Sequence, residues 1–415
     1  MSDLVSVLAD ILYRVEVFHL SLDSAFKQTC EIIGCKIKGI DKEATYRIAR
    51  DFISKYYLLV ELLRFRKYRY SRKEMARLYL MLYGEDHEVR TPSRIDRRYR
   101  DLIAIASKFN YDKYPWIKFS YPKWFYEHLS EILGSYDALE LLKALNNRTI
   151  WLRVNTLKVD VDKAIKLLEK ENIVIERDKD LWYMVKVINA PYPINKVEAV
   201  RKYLVIPQDK ASALVVEALK PDADMLIYDL TAAPGMKTSL IMQLTENKAY
   251  VVAFDVSKKR LRVMKHLMKN LGVDFSHLEI ILADSRILHM KRKADAVLLD
   301  APCSSSGAIP KDPAVKIHLR RRGRIEYYSK LQENLLSIGL RLCSDKLVYA
   351  TCSVFPEEGE EIVEKFVNLN IARAVKPSII GSPGYFKYKI APLVKRLFPH
   401  IHMTEGFFIS QLYPI

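Results

Sequence analysis

Apolar residues recur at three- and four-residue steps near the start of the chain, in Leu4, Val7, Leu8, Ile11, Leu12 and Val15, and again through Ile48, Phe52, Tyr56, Leu59 and Leu63. That spacing predicts helices over most of residues 1–115, interrupted at Gly34–Gly39 and near Gly84. Residues 110–122 are aromatic and proline-bearing without a period, and read as a linker. A helix from Trp124 to about Leu145 follows, then a strand at 151–158, a helix at 160–171 and short strands around 173–175, 182–188 and 203–206. These segments suit a small α/β subdomain, and the helix expected at 207–220 leads into what comes next.

From there the pattern alternates strand and helix. Short apolar runs occupy 225–230, 249–255, 277–284, 294–303 and 346–353, with helical spacing between them at 257–273 and 324–343. Such alternation predicts a parallel, doubly wound sheet with ligands at the carboxyl ends of its strands. The chemistry sits at those ends: Asp229 and the loop TAAPGMKTS, then Asp255, Asp284, Asp300 with Cys303, and Cys352.

The TAAPGMKTS loop lacks both the G-x-x-x-x-G-K-[ST] and the G-x-G-x-x-G spacing, so a phosphate-gripping nucleotide loop is not indicated. Small residues opening a helix still offer free amides and a partial positive charge, which suit a carboxylate. Asp255 is placed to take ribose hydroxyls and Asp284 an adenine amino group. Adenosine plus a carboxylate points to S-adenosylmethionine. A buried cysteine is usually a small hydrophobe, the reading for Cys30, Cys35 and Cys343, which fall on helical patterns. Cys303 and Cys352 instead end neighbouring strands, so two thiols should face one cleft, with Lys237 and a helix N-terminus able to lower a thiol pKa.

Charge and composition add the partner. The formal net charge is +17, spread along the chain, which favours an anionic partner and RNA first. The runs RFRKYRYSRKEMAR (64–77) and RIDRRYR (94–100) interleave cations with aromatics, as phosphate contact plus base stacking requires. Five cysteines without an even framework argue against a disulfide scaffold and for a reducing, cytoplasmic setting. No signal peptide, membrane span or metal-ligand cluster is indicated, and a monomer is expected.

DLTAAPGMKTS, AFDVSKKRLRVM, ADS, DAPCSSSGAIPKDP and YATCSVFPEEGEEIV resemble, in order and spacing, the motifs of the Nop/Sun-type (RsmB/Fmu-like) RNA cytosine-5 methyltransferases. The flanks WLRVNTLK, IPQDKAS and RLFPHIHMTEGFF fit too, so the resemblance covers about residues 120–415. It implies a helical, NusB-like RNA-binding domain at 1–115, an RRM-like α/β subdomain at 120–205 and a Rossmann-like S-adenosylmethionine-dependent catalytic domain at 206–415. It further implies that Thr231, Ala232, Ala233, Pro234, Gly235, Met236 and Lys237 hold the methionine end of the cofactor. Asp255 and Arg260 would then serve the ribose, Asp284 the adenine, and Asp300 both cofactor and cytosine. By the same resemblance Cys352 is the nucleophile at carbon 6 of cytosine in rRNA or tRNA, Cys303 assists product release, and Lys237 steadies Asp300 or the thiolate. Met236 replaces the family's usual second glycine, a strain of ~1–2 kcal/mol if a positive φ is needed there. The rival readings are an RNA-binding ribosome-assembly factor with vestigial transfer, a DNA cytosine methyltransferase, and a nucleotide-dependent oxidoreductase.

Overall fold

In this computed structural model, which describes residues 2–35, 37, 40–65, 70–89 and 97–415, the amphipathic spacing of the first 65 residues becomes four helices. These are Ser2–Phe18, Leu22–Ile32, Lys42–Ser54 and Tyr56–Phe65, followed by Arg72–Tyr83 and Arg97–Lys108. Ser21, Asp41 and Ser71 cap three of them, each side chain accepting from a backbone amide three residues on. Leu8, Ile11, Leu12, Val15, Leu59 and Leu80 make a shared, fully buried core.

The stretch expected to be a linker is part of this helical unit. A turn at Tyr111–Lys113 and a short helix at Pro115–Lys118 place Tyr111, Tyr114 and Trp116 against the core, where burial of their rings outweighs the lack of periodicity. The expected single helix from Trp124 is two, Lys123–Leu133 and Ser135–Ala144, broken at Gly134, whose φ is 81°. Of the basic-aromatic runs, residues 66–69 and 94–96 lie outside the described residues. Within the described part, Arg72 pairs with Glu16 at 2.6 Å and Tyr70 also bonds that carboxylate. Cys30 and Cys35, expected as separate thiols, are joined in a disulfide. After the helix ends, Gly34 (φ 79°) turns the chain back and brings the two Cα atoms to 4.8 Å.

The helical unit comprises Met1–Asn147 together with Ala308–Arg324; the second unit comprises Arg148–Gly307 and Ile325–Ile415. This division differs from the expected segments, because a piece of chain just after Cys303 is built into the helical unit. Ala314 and Ile317, on a short helix at Ala314–His318, join the helical core. Between them Lys316 is 1% exposed, its Nζ donating to the Ser54 and Phe119 carbonyls at 3.0 Å and lying 4.1 Å from the Tyr121 ring. Burial pushes its pKa far below the usual lysine range.

The second unit holds two sheets. Strands β1 (Ile150–Val154), β2 (Val174–Arg177), β3 (Met184–Asn189) and β4 (Val205–Pro207) pair antiparallel in the order β2-β3-β1-β4. The helix Val161–Lys170 covers them with Ala164, Ile165 and Leu168. The larger sheet contains β5 (Leu226–Asp229), β6 (Tyr250–Asp255), β7 (Leu278–Leu282), β8 (Ala294–Asp300) and β9 (Cys343–Thr351), all mutually parallel. Strands β10 (Ala372–Val375), β11 (Val394–Leu397) and β12 (Phe407–Pro414) complete it, β12 running antiparallel to the other two and to β9. The order β7-β6-β5-β8-β9-β12-β10 reverses direction between β5 and β8, the switch point at which such sheets open a crevice. Cys343, expected on a helix, is instead the first residue of β9 and fully buried. Among the described residues no helix is long and apolar enough to cross a membrane.

Candidate active site

Each strand-end acid and both cysteines of the doubly wound sheet lie at its carboxyl edge, because parallel strands point their ends the same way. The loop after β5 is held from below by Asp229, which is 1% exposed and accepts from the Thr238 hydroxyl at 2.7 Å and the Thr231 amide at 3.4 Å. Burial pushes this carboxyl up to about 6. Thr231 Oγ1 donates to the Asp300 carbonyl at 2.8 Å, tying the loop to β8. The Ala233–Pro234 peptide is cis, and Gly235 has φ 99° with Met264 and Met268 too close for a side chain. The positive φ therefore falls on Gly235, and Met236 begins the helix Met236–Leu244 without that strain.

Asp229 carries a pH prediction. Its pKa is about 6 folded against an ordinary 3.8, so below about pH 4 both folded and unfolded chains are protonated there. As pH rises from about 4 to about 6 the unfolded state ionises this carboxyl while the folded state still holds its proton, and stability falls by roughly 2–3 kcal/mol, the loss being complete once the folded group ionises. Asp229→Asn removes this loss. Denaturant unfolding at pH 4 to 7 should show the variant gaining on wild type as pH rises; parallel profiles would contradict the assignment.

At β6, Asp255 is buried and accepts from the Ser257 amide at 2.9 Å and the Ala233 amide at 3.2 Å. Arg260 Nη1 lies 3.2 Å from the same carboxylate and its Nη2 donates to the Ala233 carbonyl. Beyond β7, Asp284 is gripped by Arg286 through two nitrogens at 2.5 and 3.0 Å, which holds its pKa below the usual carboxylate value. Beside these acids Val256 and Ile287 are 69% and 81% exposed. Their apolar faces were not singled out from sequence; for Val256 the available signal was an apolar residue directly after a strand-end acid, while Ile287 lies three residues beyond Asp284.

The thiols meet. Cys303 Sγ and Cys352 Sγ are 3.0 Å apart, Cys303 buried and Cys352 half-buried. The hydrogen bond with Cys352, burial and the charge of Glu358 push the Cys303 pKa well up, so Cys303 is a neutral thiol. Lys237 Nζ pairs with Asp300 Oδ2 at 2.5 Å and lies 5.5 Å from the Phe407 ring. Burial alone lowers the Lys237 pKa, but Asp300 and the nearby Cys352 outweigh it and the net shift is upward. The site thus brings together Lys237, Asp300, Cys303 and Cys352, while Asp255, Arg260 and Asp284 line the β6–β7 side.

Buried charges that sequence reasoning passed over hold these groups. Glu358, 0% exposed, accepts from the Ser304 amide at 2.7 Å and hydroxyl at 2.5 Å, from Ser353 Oγ at 2.6 Å and from Gln332 at 3.1 Å. One carboxylate therefore ties together the residues that follow each cysteine. Gly307 donates to the Cys352 carbonyl at 3.0 Å and would place a Cβ 2.0 Å from the Gly406 carbonyl oxygen, so only glycine fits. Arg153, 1% exposed on β1, donates to the Met236 carbonyl at 3.2 Å and Ser239 Oγ at 2.8 Å, and burial lowers its pKa to about 9. A charge inside an apolar strand was the signal for it.

Comparison with known proteins places these features. Residues 216–413 match the family model described as 16S rRNA methyltransferase RsmB/F, and residues 121–195 match the ferredoxin-like domain of RsmF/B-like methyltransferases. The chain is 31% identical over 304 residues to ribosomal RNA small subunit methyltransferase B of Serratia proteamaculans, covering 71% of this chain and 66% of that protein. It is 36% identical over 222 residues to a tRNA (cytosine(72)-C(5))-methyltransferase of Pyrococcus horikoshii, covering 53% of this chain and 54% of that one. The matched stretch thus spans about half to two thirds of these curated relatives. Among solved structures, that of PH0851 has a TM-score of 0.77 at 26% identity over 98% of both chains. NSun6 from Pyrococcus horikoshii with SFG has a TM-score of 0.64 at 27% identity, covering 71% of this chain and 98% of that one.

Proposed function

The chain belongs to the Nop/Sun family of RNA cytosine-5 methyltransferases, the RsmB/F group, and on that footing we propose that it methylates carbon 5 of a cytosine in rRNA or tRNA. The observation that carries this reading is the pair of thiols 3.0 Å apart, beside the Lys237–Asp300 ion pair, at the carboxyl ends of neighbouring parallel strands.

The residues fit S-adenosylmethionine. Asp255 and Asp284 offer carboxylate oxygens with remaining acceptor capacity, Val256 and Ile287 offer apolar faces, and the amides that open the helix at Met236 suit a carboxylate. SFG, which accompanies the NSun6 structure, is an analogue of that cofactor. When bound, the cofactor supplies an electrophilic methyl group.

The chain's own residues must make carbon 5 nucleophilic. Cys352, the less buried thiol and the one near the Lys237 ammonium, adds as thiolate to carbon 6, forming a carbon–sulfur bond and pushing electrons toward carbon 5 and the ring. Asp300, paired with Lys237, can hold a proton at ring nitrogen 3, so that the electrons the thiolate pushes into the ring end on a neutral enamine. Release requires loss of the carbon 5 proton and cleavage of the carbon–sulfur bond, which returns electrons to Cys352. Cys303, neutral and 3.0 Å away, can hydrogen-bond or protonate that departing sulfur. The target base must leave its stack first, at a cost of a few kcal/mol unless it is already single-stranded.

Labelled S-adenosylmethionine mixed with unmodified rRNA and tRNA transcripts, followed by nucleoside analysis, tests the reading. The expected product is 5-methylcytidine. Binding of cofactor and RNA without transfer to either would favour the assembly-factor alternative, and transfer to DNA in preference to RNA would favour the DNA enzyme.

A further inference from the structure

Away from the thiols, the loop between β10 and β11 carries a feature that the proposed chemistry does not use. Phe386 is 91% exposed, an unusual state for an aromatic ring in a well-fixed segment. The segment is fixed at both ends: Gly384 donates to the Ala391 carbonyl at 2.9 Å, and Ile390 and Ala391 are buried. Its neighbour Tyr385, 4% exposed, donates its hydroxyl to the Val354 carbonyl at 2.6 Å and its amide to Glu360 at 3.0 Å. The loop is thereby anchored two residues from Cys352.

Phe386 borders a cavity of about 480 Å³ whose lining includes Tyr388 and three lysines, Lys376, Lys389 and Lys395. Lys376 and Lys395 also line an adjoining cavity of about 610 Å³. Burial and the charge of Lys376 depress the Lys395 pKa, a sign that the ammonium groups crowd one another. The two acids at the edge are already engaged: Glu361 accepts from the Tyr388 hydroxyl at 2.7 Å and Glu364 from the Lys389 amide at 3.0 Å. An exposed ring presented by a fixed loop among convergent cations fits a base stacked over its sugar-phosphate backbone.

We propose that Phe386 with Lys376, Lys389 and Lys395 forms a docking site for single-stranded RNA, on the connection between β10 and β11, the two strands that pair with β12 beside β9. Phe386 stacks one base and the lysines take the adjacent phosphates. The site deepens the RNA reading above and rests on it.

The test compares the full chain with Phe386→Ala and with the pair Lys376→Ala/Lys389→Ala, all at exposed positions. The probe is a fluorescent single-stranded oligoribonucleotide of mixed sequence, titrated at several salt concentrations, beside methyl transfer to the same transcripts. Phe386→Ala should weaken binding about tenfold with little change in salt slope. The lysine pair should flatten the slope of log affinity against log salt by about 1.4, at roughly 0.7 per phosphate contact on a single strand. In transfer assays both should raise KM for RNA more than they lower kcat. If wild type methylates RNA while both variants keep its affinity and slope, the docking site is refuted and the RNA reading stands. If wild type neither binds nor methylates RNA, both fall together.

Discussion

Cys352→Ala should lose methyl transfer by at least on the order of 10⁴-fold while keeping its fold and its cofactor affinity. The size follows from its position. Carbon 5 of cytosine is unreactive until a nucleophile adds at carbon 6, and Cys352 is the half-buried thiol of the pair, near the Lys237 ammonium. Little packing is lost, since the side chain lies at the edge of the core rather than within it. Calorimetric or fluorescence titration with S-adenosylmethionine would confirm an intact cofactor side, and residual transfer within tenfold of wild type would contradict the role. Cys352→Ser should be nearly as inactive, because a hydroxyl is a far weaker acid than a thiol.

Arg396→Met should destabilise the catalytic unit by ~3–5 kcal/mol. Arg396 and Glu360 are both fully buried, and the guanidinium donates to the two carboxylate oxygens at 2.8 and 2.5 Å. Arg396 also donates to the Ser353 carbonyl at 2.8 Å and the Phe355 carbonyl at 3.1 Å, the chain just after Cys352. Its ring neighbours, Tyr385 at 4.3 Å and Phe408 at 5.1 Å, exclude water from the pair. Removing the cation leaves the Glu360 charge and two carbonyls without their donor. The double variant Arg396→Met/Glu360→Gln should recover part of the loss, since a neutral amide costs less to bury than a carboxylate. Denaturant unfolding checks both; equal stability of Arg396→Met and wild type would show that the pair contributes nothing.

The strands and the strand-end residues were legible because their signals are local. An apolar run of fixed length ending in Asp255, Asp300 or Cys352 states its own position, and parallel strands bring such ends to one edge. The contacts that make the site rigid were not local. Glu358, Glu360 and Arg396 look like solvated surface charges in sequence, and only partners up to 54 positions away make them buried. Arg153 reaches Ser239 across 86 positions, which no periodicity reports. The passage of residues 308–324 into the helical unit was hidden for the same reason, since Lys316 finds its acceptors on Ser54 and Phe119. Cys30 and Cys35 misled differently: counting five cysteines argued against a framework, while one glycine turn was enough to close a pair. Met236, a departure from the family pattern, carries no left-handed strain, because the left-handed residue is Gly235.

The most direct measurement is a denaturing gel of Cys303→Ala incubated with S-adenosylmethionine and unmodified RNA. Cys303 donates no carbon–sulfur bond in this account; it lies 3.0 Å from the sulfur that must depart. The variant should therefore accumulate a slow-migrating protein–RNA band that Cys352→Ala and the double variant do not form. A band formed by Cys352→Ala and absent from Cys303→Ala would reverse the two roles and contradict the account.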